Sequence, residues 1–284
     1  MFASSGKQPA NPITRGACCV AVIAGRPERV IGFGAWWRVR LDKFRLDLLV
    51  AEDARRRGVG SSLLGEVVDR AQGAGAATLQ ARAGSEQRES LEFLLRRGFV
   101  ETMRMHLQML SVAEATLTPY AHLPAMLAER GIVVVSLPRE LARGEACWKE
   151  YARVFNAARE GWPDPDPGPV TPLTPAEFRR RHHAAELEHG VSADQCLLAV
   201  LGTRYVGFTG AMGTGVEPAF RRQGIATALK LEAVIAARER GATTMGTSTG
   251  NPGMLRVNGR FGFSIVSTEV RLVRTIRTDH DLRA

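Results

Sequence analysis

The chain contains a long internal repeat. Residues 55–79 read RRRGVGSSLLGEVVDRAQGAGAATL, and they align without a gap with residues 221–245, which read RRQGIATALKLEAVIAARERGATTM. The offset between the copies is 166 residues, and ten of the 25 aligned positions are identical. A charged stretch follows each copy and ends in Gly-Phe, at residues 98–99 and 262–263. Two copies this far apart predict two related domains, because a solenoid is built from several shorter repeats.

Both halves of the chain predict the same order of strands and helices. Stretches rich in β-branched and aromatic residues indicate strands, and apolar residues that recur every three or four positions indicate amphipathic helices. In the first half the predicted elements are strands 30–40 and 44–50, a helix that begins at Val59, strand 77–82, helix 86–97 and strand 100–110. In the second half they are strand 132–137, helices 145–159 and 175–188, strands 196–200 and 205–211, helix 225–237, strand 243–248, helix 254–260 and strand 264–274. The predicted fold class is therefore α+β, with units at residues 1–112 and 113–284, each a mixed and mostly antiparallel sheet flanked by helices.

Composition narrows the class of protein and the partners. The formal net charge of +9 comes almost wholly from arginine, which suits phosphate recognition, although a GC-rich genome explains it as well. The charge alone would permit a nucleic-acid partner, but no other feature supports one. No apolar run approaches the roughly 20 residues needed to cross a bilayer. The four cysteines lack C-x-x-C and zinc spacing. We therefore expect a cytoplasmic protein with no metal, no membrane partner and no nucleic-acid partner.

Each copy of the repeat opens with the motif [RQ]-x-x-G-x-[GA] between a predicted strand and a predicted helix. The two copies of the motif are Arg55…Gly58-Val59-Gly60 and Arg221…Gly224-Ile225-Ala226. A helix N-terminus presents unpaired N–H groups and the positive end of the helix dipole, and small residues let a pyrophosphate approach the backbone. The chain has no G-x-x-x-x-G-K-[ST] sequence and the motif has no third glycine. Neither a P-loop nor a dinucleotide-binding fingerprint therefore fits.

The two loops resemble the acyl-CoA loop of the GNAT family of N-acyltransferases. VAEDARRRGVGSSLL and VEPAFRRQGIATALK are similar to that loop and its helix, and TGNPGMLRVNGRFGF is similar to the fourth helix of the family. The layout resembles that of two-unit actinobacterial members, over about residues 17–110 and 120–284. The resemblance implies two GNAT-type units, an acetyl-CoA donor, no metal, and a small-molecule or peptide primary amine that attacks the thioester directly. The residues that it assigns to coenzyme binding are Val50, Arg55, Arg56, Arg57, Gly58, Val59, Gly60, Ser61, Val216, Arg221, Arg222, Gln223, Gly224, Ile225, Ala226, Thr227, Asn251 and Asn258.

The sequence departs from the family where catalytic residues are expected. Many members carry a Tyr as general acid seven residues after the Asn of the fourth helix, and the corresponding positions here hold Leu94 and Asn258. Two candidate general bases are Asp47, on the predicted fourth strand of the first unit, and Glu217, beside the second loop. The alternative for Asp47 is an ion pair with an arginine, and the alternative for Glu217 is a solvated loop carboxylate. The missing Tyr keeps open a second function, that of a catalytically weak acyl-CoA-binding or scaffold protein.

The two units also differ in completeness. We expect the first to lack the opening strand and two helices that wall the acceptor site in the family, and we therefore expect the second to be the catalytic unit. Between Gly207 and Thr214, however, only six residues remain. This leaves little room for a third strand to turn and return as a fourth. We expect His182 and His183 to face different directions on a helix and to lie at the surface.

Overall fold

The computed structural model describes residues 2–3, 16–160, 162–168 and 170–276. The chain divides into two compact units, and neither is continuous in sequence. Unit 1 comprises Met1–Met105, Asp164–Pro167 and Thr268–Ala284, and unit 2 comprises His106–Pro163 and Gly168–Ser267. The predicted boundary between residues 112 and 113 separates the two sequence copies, and it stays a prediction. The compact units depart from it, because unit 1 also contains residues 164–167 and 268–284 and unit 2 begins at His106.

The first sequence copy is rich in strands. Its elements are β1 (Phe2–Ala3), β2 (Gly16–Ile23), β3 (Arg26–Arg40), β4 (Lys43–Val50), α1 (Val59–Gly73), β5 (Thr78–Gly84), α2 (Arg88–Leu95) and β6 (Val100–Ser111). Helix α1 begins at Val59 as predicted, and Leu63, Leu64 and Val67 form its buried face. Helix α2 is shorter than the predicted 86–97.

The second sequence copy carries more helix. Its elements are α3 (Leu123–Ala128), β7 (Ile132–Ser136), α4 (Leu137–Leu141), α5 (Glu145–Arg159), α6 (Pro175–His189), β8 (Leu197–Leu201), β9 (Arg204–Gly210), β10 (Gly213–Val216), α7 (Ile225–Glu239), β11 (Thr244–Thr249), α8 (Pro252–Arg260) and β12 (Ser264–Thr275). Helix α4 follows β7 directly. Pro138 lies in the first turn of α4, where its missing N–H removes no helical hydrogen bond.

The sheet of unit 1 contains strands in the order β1-β2-β3-β4-β5-β12. Each of these neighbouring pairs is antiparallel except β4 with β5, which is parallel. That parallel pairing is short, because it joins residues 43–45 only to residues 78–80. Beyond Arg45 and Gln80 the two strands separate, which leaves a splayed gap in the sheet.

The two faces of this sheet differ in character. Phe44 and Leu46 of β4 point to the side covered by α1 and α2, where they join Leu63 and Leu94 in one apolar core. Because side chains alternate along a strand, Arg45 and Asp47 project from the opposite face. Within the residues described for unit 1, no helix covers that opposite face.

Unit 2 contains an antiparallel sheet in the order β10-β9-β8-β7. Helices α5 and α6 cover one face, where Tyr151, Phe178 and Phe208 pack together. Helices α3 and α7 cover the other face through Leu127 and Leu229. The sheet therefore has a helical layer on each side, as the fold class predicts.

The expected shortage of room for a fourth strand in the second copy is wrong. Strand β10 pairs with β9 from Gly213 opposite Gly210, so only Ala211 and Met212 form the turn. Both glycines have positive φ, 146° at Gly210 and 88° at Gly213, a backbone region that L side chains rarely adopt. Glycine at both ends thus permits a two-residue hairpin within the six available residues.

Two strands pass from one unit to the other. Strand β6 begins in unit 1, and its residues 106–111 pair with β11 in unit 2. Strand β12 begins in unit 2, and its residues 269–275 pair with β5 in unit 1. The last strand of each sequence copy is therefore shared between the two compact units.

The surface position expected for His182 is also wrong. His182 is fully buried, whereas His183 is exposed. The His182 ring packs against Trp148 and Tyr151, with ring centroids 5.5 and 5.4 Å away. The polar sequence of α6 does not show that this one position faces the core.

Candidate functional site

The first loop of the repeat forms an exposed helix N-terminus. Gly58 has a φ of 84° and immediately precedes α1, and no side chain caps the helix. The first helical hydrogen bond of α1 runs from Ser62 N to Gly58 O, at 3.0 Å. The N–H groups of Val59, Gly60 and Ser61 precede that bond, so they are available to an oxyanion. A Cβ placed on Gly58 would meet no atom within 4 Å, which leaves space for a ligand.

The second loop has the same backbone but is covered. Gly224 has a φ of 86°, and Ala228 N bonds to Gly224 O at 2.9 Å. A Cβ on Gly224 would lie 3.4 Å from both Leu123 and Met126 of α3. The side chains that follow it, Ile225 and Thr227, are buried, with Ala226 between them partly exposed. Access to the second loop is thus narrower than access to the first.

The leading arginine of each motif fixes its own loop. Arg55 Nε donates to Val50 O at 3.3 Å, and Arg221 Nε donates to Val216 O at 3.2 Å. Both bonds tie the loop to the last residue of the preceding strand, which lies five residues before the arginine in each copy. Their predicted role in coenzyme binding stays a prediction.

The other residues of the two loops have varied partners. Arg56, which has a φ of 61°, forms an exposed ion pair with Glu89 at 2.8 Å. Arg222 has the matching φ of 60°, and the Gln223 side chain accepts a hydrogen bond from Arg130. Within the described ranges Arg57 has no ion-pair partner, so its charge is available to a phosphate.

Asp47 lies on the open face of unit 1 at the splayed gap. It is two residues beyond Arg45, which makes the last pair between β4 and β5. Its carboxylate Oδ1 is 3.9 Å from Arg82 Nε, and both side chains remain substantially exposed. The arginine partner considered for Asp47 is therefore present at a long distance, and the carboxylate stays accessible to an acceptor.

Glu217 is held in an ionic network in unit 2. Its side chain is buried and bonded to Arg204, and Arg153 Nη1 lies 3.2 Å from its Oε1. Burial acts to raise the pKa of Glu217, but the hydrogen bonds and charges of Arg204 and Arg153 outweigh it and leave the pKa below its usual value. A carboxylate stabilised as an anion in this way is a weak proton acceptor.

The two asparagines of the fourth helix of the second copy have different hydrogen-bond partners, and their coenzyme role stays a prediction. The Asn251 side chain accepts hydrogen bonds from Gly253 N and Met254 N, at 2.8 and 3.2 Å, and so caps α8. Asn258 is buried, and its Nδ2 donates to Gln108 Oε1 at 2.8 Å. In the first copy Leu94 is buried in the apolar core. None of these three side chains supplies an acid of the kind that the family's Tyr provides.

One group of side chains in unit 2 has the donor types of a metal site. A ligand atom each from His182, Glu186 and Cys196 lies within 4.8 Å of the others. Burial raises the pKa of the Cys196 thiol to about 11, which disfavours the thiolate that a metal would need. The absence of a metal stays a prediction.

The polar residues on the open face of unit 1 were not identified from the sequence. They include Arg45, Gln80, Arg82 and Arg271, which come together on β4, β5 and β12. The alternation of charged with apolar residues in KFRLDLLV was the available signal. The pairing of β12 with β5 could not be read from the sequence.

Comparisons with known proteins agree with this architecture. A GCN5-related N-acetyltransferase from Sphaerobacter thermophilus is 18% identical, with a TM-score of 0.65 over 93% of this chain and 81% of that one. A tandem GNAT protein from the clavulanic acid biosynthesis pathway is 19% identical, with a TM-score of 0.66 over 95% of this chain and 86% of that one. At these identities the likeness shows a shared fold. No curated protein sequence matches the chain.

The two strand–loop–helix motifs and the two sheets define a tandem acyltransferase fold. The sequence profile of the acetyltransferase (GNAT) family matches residues 6–99 and 149–263, which is more than half of the chain. The chain belongs to the GNAT acetyltransferase family. No helix in the described ranges combines the length and the apolar content needed to cross a membrane.

Proposed function

We propose that this chain is an acyl-CoA-dependent N-acyltransferase that takes acetyl-CoA at the loop of residues 55–61 in unit 1. The observation that carries the proposal is the exposed N-terminus of α1, with three N–H groups free at the end of a splayed pair of strands. The pyrophosphate would bind these N–H groups, and Arg57 would add positive charge. The acceptor is a primary amine of a small molecule or a peptide.

The chemistry would take place in the gap between β4 and β5. The pantetheine arm would lie along Leu48–Val50, where unpaired backbone groups can receive it. From the open face of the sheet, a neutral amine would attack the thioester carbonyl, and Asp47 would take up the proton that the amine loses. Backbone N–H groups would stabilise the oxyanion. Since Leu94 occupies the position of the family's acid, the thiolate would leave without a protein acid and gain its proton from water.

The proposal departs from the expectation that the second copy is the active one. The reason is access, because α3 covers the second loop beside Gly224 while Gly58 stands open. Glu217, the candidate base of unit 2, is also engaged by two arginines. Binding at the second loop, at residues 221–227, and a coenzyme role for Asn251 and Asn258 are therefore secondary proposals.

The test is an acetyl-CoA titration by calorimetry on two matched pairs of variants. Gly58→Asp and Gly58→Asn differ only in charge, and both residues tolerate positive φ better than other side chains do. We expect Gly58→Asp to weaken binding about tenfold or more relative to Gly58→Asn, through repulsion of the pyrophosphate. Gly224→Asp and Gly224→Asn should bind equally. If the Gly224 pair separates and the Gly58 pair does not, the assignment to unit 1 is wrong.

The alternative function is that of an acyl-CoA-binding protein with weak catalysis. The apolar Leu94 at the acid position favours it. Multiple turnovers of CoASH release with any amine would exclude this alternative, whereas tight acetyl-CoA binding without turnover over a broad panel of amines would favour it.

A further inference from the structure

A small, shallow cleft, with room for about one water-sized group, opens on the face of the unit 1 sheet opposite α1 and α2. Its lining residues are Arg45, Gln80, Ala81, Arg82, Pro165 and Arg271. It lies where β4 and β5 cease to pair, because Arg45 opposite Gln80 is the last paired position. Pro165 reaches it from the segment Asp164–Pro167, which belongs to the same compact unit.

The cleft has more positive than negative charge. Arg271 Nε is paired with Glu269 at 2.9 Å, and Arg82 lies 3.6 Å from Glu269 and 3.9 Å from Asp47. Arg45 has no hydrogen bond or ion pair from its side chain within the described part of the chain. Burial lowers the pKa of Arg45, and the charges of Arg271 and Arg82 lower it further. A partly buried guanidinium among other cations is stabilised when an anion enters.

Gln80 adds an unused hydrogen-bonding group to the same place. It is only 7% exposed and lines the cleft, yet its carboxamide has no hydrogen-bond partner among the described residues. The Gln80 carboxamide atoms are not among the fully enclosed polar atoms, so they remain within reach of a ligand at the cleft. The neighbouring cation Lys43 does not compete for an anion, because its amine is bound to the carboxylate of Asp166.

We propose that this cleft binds an anionic group of the acceptor amine, either a carboxylate or a phosphate ester. Arg45 and the Gln80 carboxamide donate to its oxygens, and Arg82 and Arg271 add positive charge. The inference rests on the proposed function of unit 1. It also explains the position of Asp47, which lies two residues, roughly 6–7 Å, along the same face of β4. An acceptor anchored by its anionic end at Arg45 would extend its amine towards Asp47 and the splayed gap.

The test compares amines that differ only in the anionic group. The probes are 5-aminovalerate, 4-aminobutyl phosphate and pentylamine, and the measurement is the rate of CoASH release from acetyl-CoA. We expect one anionic amine to exceed pentylamine in kcat/KM by about tenfold or more, as charged hydrogen bonds allow. The better of the two anionic amines identifies the group as a carboxylate or a phosphate. Equal kcat/KM values for all three amines would overturn the proposal.

Arg45→Gln is the decisive variant. It should reduce kcat/KM for the preferred anionic amine about tenfold, mainly through KM, and leave pentylamine unchanged. The matched control is Arg104→Gln, because Arg104 is exposed on β6 and pairs with Glu101. The thermal midpoint should not fall in Arg45→Gln, since the change removes a charge that has no partner. An equal loss for pentylamine and the anionic amine would overturn the anion assignment.

A binding measurement separates this proposal from that for acetyl-CoA. The two anionic amines are titrated calorimetrically into the parent and into Arg45→Gln, each saturated with CoASH. Binding to the parent that Arg45→Gln weakens supports the anion site even where no amine is turned over. If neither amine binds to the parent, the anion site is wrong, although the Gly58 pair can still show that acetyl-CoA binds.

Discussion

Arg45 and Gln80 form the last residue pair that joins β4 to β5 in parallel register. Beyond this pair β4 and β5 no longer bond to each other, although β3 and β12 still pair with their outer edges. The same pair lines the cationic cleft on the open face. One position in the sheet therefore ends the hydrogen-bonded ladder and begins the candidate acceptor site. Asp47 is the next residue of β4 on that face, so it lies beside this candidate acceptor site.

Replacing Asp47 with Asn should impair catalysis without impairing coenzyme binding. Loss of a general base lowers kcat/KM by roughly a hundredfold or more, while the Kd of acetyl-CoA should change less than about twofold. The control is Asp69→Asn, because Asp69 is an exposed carboxylate on α1. Steady-state kinetics and calorimetry on both variants provide the measurement. An Asp47→Asn protein with parental kcat/KM would remove Asp47 from the mechanism.

Asp166 should contribute strongly to the stability of unit 1. Its carboxylate accepts from Lys43 Nζ and Thr78 Oγ1, and its backbone carbonyl accepts from Lys43 Nζ at 2.7 Å. Asp166→Asn leaves a partly buried ammonium without its counter-ion, and we expect the free energy of unfolding to fall by about 1.5–3 kcal/mol, as for a hydrogen bond to a charged group. Urea denaturation measures the change. Lys43→Met in the Asp166→Asn background should recover part of the loss, and purely additive losses would contradict a coupled pair.

The buried amides of Asn258 and Gln108 should behave as one unit. Asn258→Leu removes the donor of a 2.8 Å hydrogen bond and leaves the Gln108 carboxamide buried without it. We expect a loss of about 1–3 kcal/mol in unfolding free energy. The double variant Asn258→Leu with Gln108→Leu should be more stable than Asn258→Leu alone, because no polar group is then stranded. A coenzyme role for Asn258 would instead appear as a weaker Kd for acetyl-CoA in Asn258→Leu.

His182 should make unit 2 sensitive to acid. Burial lowers the pKa of His182, against the opposing influence of Glu186, so the ring is neutral in the folded protein at pH 7. In the unfolded chain the imidazole takes up its proton near pH 6.5, whereas in the folded protein it does so only at a lower pH. The free energy of unfolding therefore has its full value above about pH 6.5, and it decreases as the pH falls towards the folded pKa. His182→Phe should therefore flatten the dependence of unfolding free energy on pH between 7 and about 5. His183→Gln is the control, because His183 is exposed, and an unchanged slope in His182→Phe would contradict the prediction.

The repeat in the sequence predicted much of what the structure contains. The copies at residues 55–79 and 221–245 gave the position of both loops and the start of α1, because glycine before a run of helical periodicity is a local signal. The α+β class followed from the order of elements. These features depend on residues close together in the chain, so one sequence was enough to identify them.

Features that depend on distant residues were missed. The alternating pattern of β12 indicates a strand but not its partner β5, because many antiparallel partners satisfy the same pattern. The burial of His182 depends on Trp148 and Tyr151, which lie on another helix. The side chains that cover Gly224 come from α3, a short helix about 100 residues away in the chain. Local sequence also failed to show that two glycines permit the tight β9–β10 turn.

The shared strands have a consequence for synthesis. The loop of residues 55–61 leaves the ribosome early, but β5 gains its neighbour β12 only when residues 269–275 have emerged. Until then one edge of β5 offers unpaired backbone groups to any other strand, which is a known route to aggregation. A nascent chain would therefore complete its candidate catalytic unit almost last. Deleting the second copy would remove β12 and leave that edge of β5 without its partner strand.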